Sequence, residues 1–223
     1  MRLLRLIVRT RRHPSAILLL VQLAGMVLYP FLEQTEFGHI AFNAIGILIL
    51  TFTIRMVHRT PGHTWISVAL AVPIVALLSA QMLLDRPSLQ AWSSGLEAFF
   101  YFYAAGSLIR YMMADRRVTT DELFAAGATF TLLAWGFTHL YLVVQALAPG
   151  SFAAAVNAHL PRTWTELNYL SFALLSSTGI GDVIPLTVHA RALASIEMFV
   201  GLIYLASVVA RLIGLTMQPT NPT

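Results

Sequence analysis

The feature that most limits what this chain can fold into is the recurrence of apolar runs near the length of a bilayer crossing. About 30 Å of hydrocarbon takes roughly 20 helical residues to cross. Such runs recur at 15–32 (SAILLLVQLAGMVLYPFL), 39–57, 64–84, 91–113, 121–147 and 190–215. The fifth opens with TTDELF, where Thr120 or Asp121 is placed to cap exposed amides. A further helical run, 163–175, is too short to span. Only 11% of the residues are charged and 57% are hydrophobic, too little charge to cover a soluble surface of this size. The expected fold is an all-α integral membrane protein with six transmembrane helices and one short re-entrant helix.

Every positive side chain other than histidine is an arginine, and the arginines orient these spans. Arg2, Arg5, Arg9, Arg11 and Arg12 precede the first span, Arg55 and Arg59 close the second, Arg110, Arg116 and Arg117 surround the loop after the fourth, and Arg211 lies near the C-terminus. Six crossings put all of these on one side and leave Arg86, Arg162 and Arg191 on the other. By the positive-inside rule both termini face the cytoplasm, across the cell's inner (plasma) membrane. Orientation, not nucleic-acid binding, is thus the expected use of the basic charge, and no nucleic-acid partner is expected. The leading RLLRLIVRTRRH also suits an amphipathic helix on the inner leaflet, with topogenic charge as the equal alternative. The first run reads as a span, because LYPFLEQ offers no small-residue cleavage site for a signal peptide. The absence of cysteine removes disulfides and thiolate metal sites.

Between the short helix TWTELNYLSFALL and the last span lies the polar stretch SSTGIGD, residues 176–182. Backbone outside a helix is tolerated at membrane depth only where it is buried in protein or lines water. The arrangement of half-helix, polar glycine-containing loop and full helix occurs once. NYLSFALLSSTGIGDVIP resembles the pore helix and selectivity filter of tetrameric potassium channels, whose signature is usually TVGYGD. Ser177 takes the threonine's place, Thr178 the valine's, Gly179 and Gly181 those of the two glycines, Ile180 the tyrosine's and Asp182 the aspartate's. Arg191 falls where an arginine often opens the inner helix, and Gly201 coincides with that helix's frequent glycine hinge. The resemblance covers about residues 121–214 and extends to small bacterial six-helix ion channels.

This resemblance implies a homotetramer in membrane lipid, each chain supplying one quarter of every ring of oxygens. Potassium would bind to the carbonyls of Ser177, Thr178, Gly179 and Ile180 and to the Ser177 hydroxyl. Gly179 and Gly181 would supply left-handed backbone without steric penalty. The short helix would direct its partly negative C-terminal end toward the cation. Filter support would come from Ser176, from Asp182, and from Tyr169, whose hydroxyl is placed to reach Asp182. Departures are also visible. Ile180 cannot hydrogen-bond, Leu170 replaces a cuff tryptophan, and Ala173 stands where some members carry a glutamate. They leave a less braced filter, with a non-selective monovalent cation channel or a non-conducting accessory protein as the alternatives. Outside the motif, Asp182 would be an ordinary carboxylate at the membrane surface.

The implied layout is a basic N-terminal segment 1–14, a four-helix bundle 15–118 shaped like a voltage sensor, and a pore domain 119–223. Within the pore domain the outer helix is 121–147, the pore helix 163–175, the filter 176–182 and the inner helix 190–215. A voltage sensor needs several arginines at three-residue spacing in its fourth helix, and 91–113 carries only Arg110. Strong voltage gating is therefore not expected. Gating candidates are Gly201, as a bend or a close packing point, and the intramembrane Glu197 and His139. Glu197 reads as a structural contact behind the filter or as a proton-linked gate. His139 and Glu197 would form a pH-responsive pair if they face each other. Glu97 is a further intramembrane acid. No cofactor other than permeant potassium is expected. After the last span only MQPTNPT remains, so regulation is expected to act through the membrane domain, lipid or a separate protein. No nucleophile stands beside a base, His189 being the one histidine near the serines, and an enzyme is not expected.

Overall fold

The structure, a computed structural model, describes residues 13–33, 46–47, 50–55, 57, 64–84, 88–114 and 119–216. They form helices α1 (Pro14–Glu33), α2 (Thr64–Leu84), α3 (Ser88–Met112) and α4 (Thr120–Leu147), strand β1 (Phe152–Ala154), helix α5 (Trp164–Leu175), strand β2 (Val183–Pro185) and helix α6 (Val188–Thr216). The basic segment 1–12, the tail 217–223 and much of the expected second span lie outside the described residues. Of that span, residues 46–47, 50–55 and 57 are helical. Among the described residues α1, α4 and α6 are long and apolar enough to cross a membrane. The apolar stretch of α2 is shorter, Trp65–Ala80, and α3 mixes Glu97, Arg110 and several serines into its 25 residues.

Helix α4 is the hub, packing against α1, α3, α5 and α6. Small residues let the backbones approach. A Cβ on Gly136 would come within 2.9 Å of the Phe102 ring on α3, and one on Gly127 within 3.0 Å of Leu19 on α1. Ala125, Ala128 and Ala134 are fully buried along the same helix. Its N-cap is Thr119, whose side chain accepts the Glu122 amide at 3.3 Å. The expected caps were Thr120 or Asp121. Asp121, buried between helices, instead accepts from the Ser15 amide (3.1 Å), the Ser15 hydroxyl (2.8 Å) and the Tyr111 hydroxyl (3.2 Å). One carboxylate thereby caps α1 and ties it to α3 and α4, placing negative charge where a helix N-terminus favours it.

Two three-residue strands pair antiparallel, Phe152 with Pro185, Ala153 with Ile184 and Ala154 with Val183. Flanking bonds from the Ala155 amide to the Asp182 carbonyl (3.0 Å) and from the Leu186 amide to the Ser151 carbonyl (2.8 Å) extend the ladder. This small sheet is a departure from the expected all-α fold. It fastens the outer end of the polar loop to the segment following α4.

Candidate functional site

Helix α5 is set by its two caps. At its start Thr163 and Glu166 form a capping box, Thr163 Oγ1 accepting the Glu166 amide (3.3 Å) and Glu166 accepting the Thr163 amide (2.8 Å). Arg162, just before it, is almost fully buried and saturated. Its guanidinium donates to the carbonyls of Val156 (3.2 Å), Asn157 and Leu160 and to Glu166 (3.1 Å). Its backbone exchanges two hydrogen bonds with the Gln145 side chain at 2.7 and 2.9 Å. An arginine that the charge count left on the opposite side from the orienting group thus stitches the connecting loop to α5. Trp164 packs against Tyr29 of α1 (4.5 Å between ring centroids) and Trp135 of α4 (6.1 Å).

The C-terminal cap opens the loop. The Ser177 amide donates to the Leu174 carbonyl (3.0 Å) and the Thr178 amide to the Ala173 carbonyl (2.9 Å). This is the pair of bonds of a Schellman cap, with Ser177 in the left-handed position usually held by glycine. Its φ is +58°, followed by +58° at Gly179 and +80° at Gly181, while the residues between them stay at negative φ. Left-handed backbone at alternate residues was expected at the two glycines, and Ser177 extends it. In the single chain all of 176–182 is exposed.

The filter supports are arranged differently from expectation. Among the described residues Tyr169 does not reach Asp182, whose carboxylate accepts the Val183 amide at 2.9 Å. Ser176 Oγ lies 2.7 Å from Thr178 Oγ1. Leu170 is buried in the core, and Ala173 is buried with its carbonyl receiving the loop amides.

Behind the loop, Glu197 of α6 is fully buried. It accepts the Tyr141 hydroxyl of α4 and lies within hydrogen-bond distance of Ser171 Oγ on α5. Ser171 Oγ also lies 2.8 Å from the Ala134 carbonyl. One carboxyl therefore joins α4, α5 and α6. His139 does not face it. The partner of His139 is Glu97 of α3, at 3.2 Å, both side chains largely buried, and Tyr101 of α3 stacks beside the imidazole at 5.4 Å. The expected His139–Glu197 pair is replaced by one across the α3–α4 interface.

Gly201 is a contact point. A Cβ there would lie 2.7 Å from Leu175 Cα and 2.9 Å from its carbonyl carbon, at the last turn of the pore helix. Below it Tyr204 donates to the Ala126 carbonyl (2.6 Å) and Arg211 pairs with Glu122 (3.2 Å), both on α4. Buried positions Ala190, Ala194, Glu197, Gly201 and Tyr204 form one face of α6. The other face exposes Phe199, Leu202, Ile203 and Val209. Arg191 donates to the Pro185 carbonyl (3.2 Å), joining the start of α6 to β2.

A short helix, a polar loop at its C-terminal end and two flanking helices long and apolar enough to cross a membrane make up the site. Residues 99–218, more than half of the chain, match the family described as ion channel. The chain belongs to that family and is a member of the pore-loop superfamily to which potassium channels belong. Comparison with curated proteins and with solved structures gives no match.

Three functional features escaped the sequence. The left-handed Ser177 lacks the glycine that signals such a position. The partners of Glu197 and His139 depend on helix packing, which side-chain identity alone does not encode. The strand FAA is too short to show an alternating pattern.

Proposed function

We propose that the chain is a passive, potassium-selective channel in which four copies surround an axis and conduct through SSTGIGD. The observation that carries this reading is the alternate left-handed backbone at Ser177, Gly179 and Gly181 on an exposed polar loop at the end of α5. Successive carbonyls turned to one side are what a dehydrated cation needs. In this reading the carbonyls of Ser177, Thr178, Gly179 and Ile180 and the Ser177 hydroxyl hold potassium, and Gly181 and Asp182 close the outer mouth. The exposed apolar face of α6 meets lipid or its copies, and no cofactor takes part. Both termini face the cytoplasm of a cell bounded by this inner membrane.

Arg110, in the last turn of α3, is the one arginine of that helix. Steep voltage gating draws on about 3–4 charges per subunit, so opening is only weakly voltage-dependent. Of the gating candidates, Glu197 serves as a structural tie, Gly201 as the contact between inner and pore helices, and His139 as part of the α3–α4 junction.

Flux through purified protein in liposomes tests the reading. Potassium is expected to pass at least tenfold faster than sodium, to be stopped by a pore blocker, and to vary little with imposed voltage. A non-selective cation channel is the second reading, favoured because Ile180 offers no hydroxyl and, among the described residues, Tyr169 makes no hydrogen bond to Asp182, whose carboxylate accepts only the neighbouring Val183 amide. Equal potassium and sodium flux would establish it. No flux under any condition would point to a non-conducting protein with a channel-like fold.

A further inference from the structure

We infer that the hydroxyls of Thr178 and Ser176 form a brace that holds the loop against the pore helix and sets its ion selectivity, in place of the aromatic cuff this chain lacks. The inference rests on the loop being the ion path. Ser176 Oγ lies 3.4 Å from the Ala173 carbonyl and 2.7 Å from Thr178 Oγ1. The two hydroxyls are bonded to each other, either one donating, and Ser176 Oγ also reaches the Ala173 carbonyl, so Thr178, Ser176 and the α5 backbone form one linked set. It runs parallel to the amide bonds that Thr178 (2.9 Å) and Gly179 (3.2 Å) donate to the same Ala173 carbonyl. Side chain and backbone of Thr178 are therefore anchored to one turn of α5, on either side of the left-handed Ser177.

The positions are specific. Ile180 offers no hydroxyl and Leu170 no ring nitrogen, so neither can tie the loop to its surroundings by hydrogen bonds. Valine, the usual signature residue at position 178, has nearly the shape of threonine but cannot make this bond. Resemblance alone would make Thr178→Val neutral or beneficial. The brace makes it harmful.

The test compares Thr178→Val, Ser176→Ala, the double variant and Thr178→Ser in liposomes, with hydrogen exchange of the 174–182 region read in parallel. The expected result is a several-fold fall in the potassium-to-sodium flux ratio for each of the first two. The double variant falls no further than either alone, and Thr178→Ser, which keeps the hydroxyl, retains the ratio. Exchange at the Thr178 and Gly179 amides accelerates in the variants that lose selectivity. Thr178→Val as selective as the parent, or additive losses in the double variant, would overturn the brace. If the parent protein passes both ions equally, there is no selectivity for the brace to set and the inference falls; if it passes neither, the ion-path reading fails on its own, and unchanged amide exchange in Thr178→Val still decides against the brace.

Discussion

Ser177 holds a backbone conformation that an L-residue adopts at a cost of about 1–2 kcal/mol, and its φ of +58° puts it at the C-terminal cap of α5. Serine tolerates this better than a β-branched residue, whose side chain crowds the left-handed region. The order of stability expected at this position is glycine first, then serine and alanine, then valine. For a chain of this length 1 kcal/mol corresponds to about 2–4 °C in Tm. Thermal melting of the detergent-solubilised protein should place Ser177→Val several degrees below Ser177→Gly. Equal melting of the two would mean that position 177 is not left-handed in the folded protein. The neighbouring glycines made part of this legible, because Gly179 and Gly181 announce the conformation by their lack of a Cβ. Serine carries no such sign, and only the paired bonds to Leu174 and Ala173 reveal it.

Along α6, Gly201 has two candidate roles, a close contact and a hinge. Alanine favours a helix over glycine by roughly 1 kcal/mol, so Gly201→Ala would stabilise α6 if the helix stood alone. Its Cβ, however, meets backbone of Leu175 rather than a yielding side chain, so the last turn of α5 must shift and the loop with it. Gly201→Ala is expected to lower Tm and to cut potassium flux at least tenfold, and Gly201→Pro to do the same. A hinge predicts the opposite sign for proline, which bends the helix and would raise flux. The extents of α4, α5 and α6 could be read from the sequence to within a few residues, since apolar runs bounding a polar loop are local signals, but the cap of α4, Thr119 rather than Thr120 or Asp121, could not. The sheet could not, because FAA and VIP become strands only by finding each other across 30 residues of chain. Glu197 was legible as an intramembrane acid, but its ties to Tyr141 and Ser171 depend on how α4, α5 and α6 pack.

At the scale of the molecule, Glu97 and His139 form a polar joint between α3 and α4. Removing one partner leaves the other's buried polar atom unsatisfied and costs about 1–3 kcal/mol, whereas replacing both by apolar residues of similar shape is close to neutral. His139 Nδ1 already lacks a partner among the described residues, which lowers what the pair contributes. Glu97→Leu and His139→Leu should each destabilise the protein strongly, and the double variant should recover most of the loss in a thermal-melting cycle. Additive losses would mean that the two side chains act independently. The β1–β2 ladder bears on a different question, the timing of assembly. Because its strands pair within one chain, the segment 155–182 is closed into a loop without a second copy. Closing about 28 residues costs on the order of 3 kcal/mol of chain entropy from length alone. In the proposed tetramer that cost belongs to the folding of each chain, so its copies would dock as preformed parts.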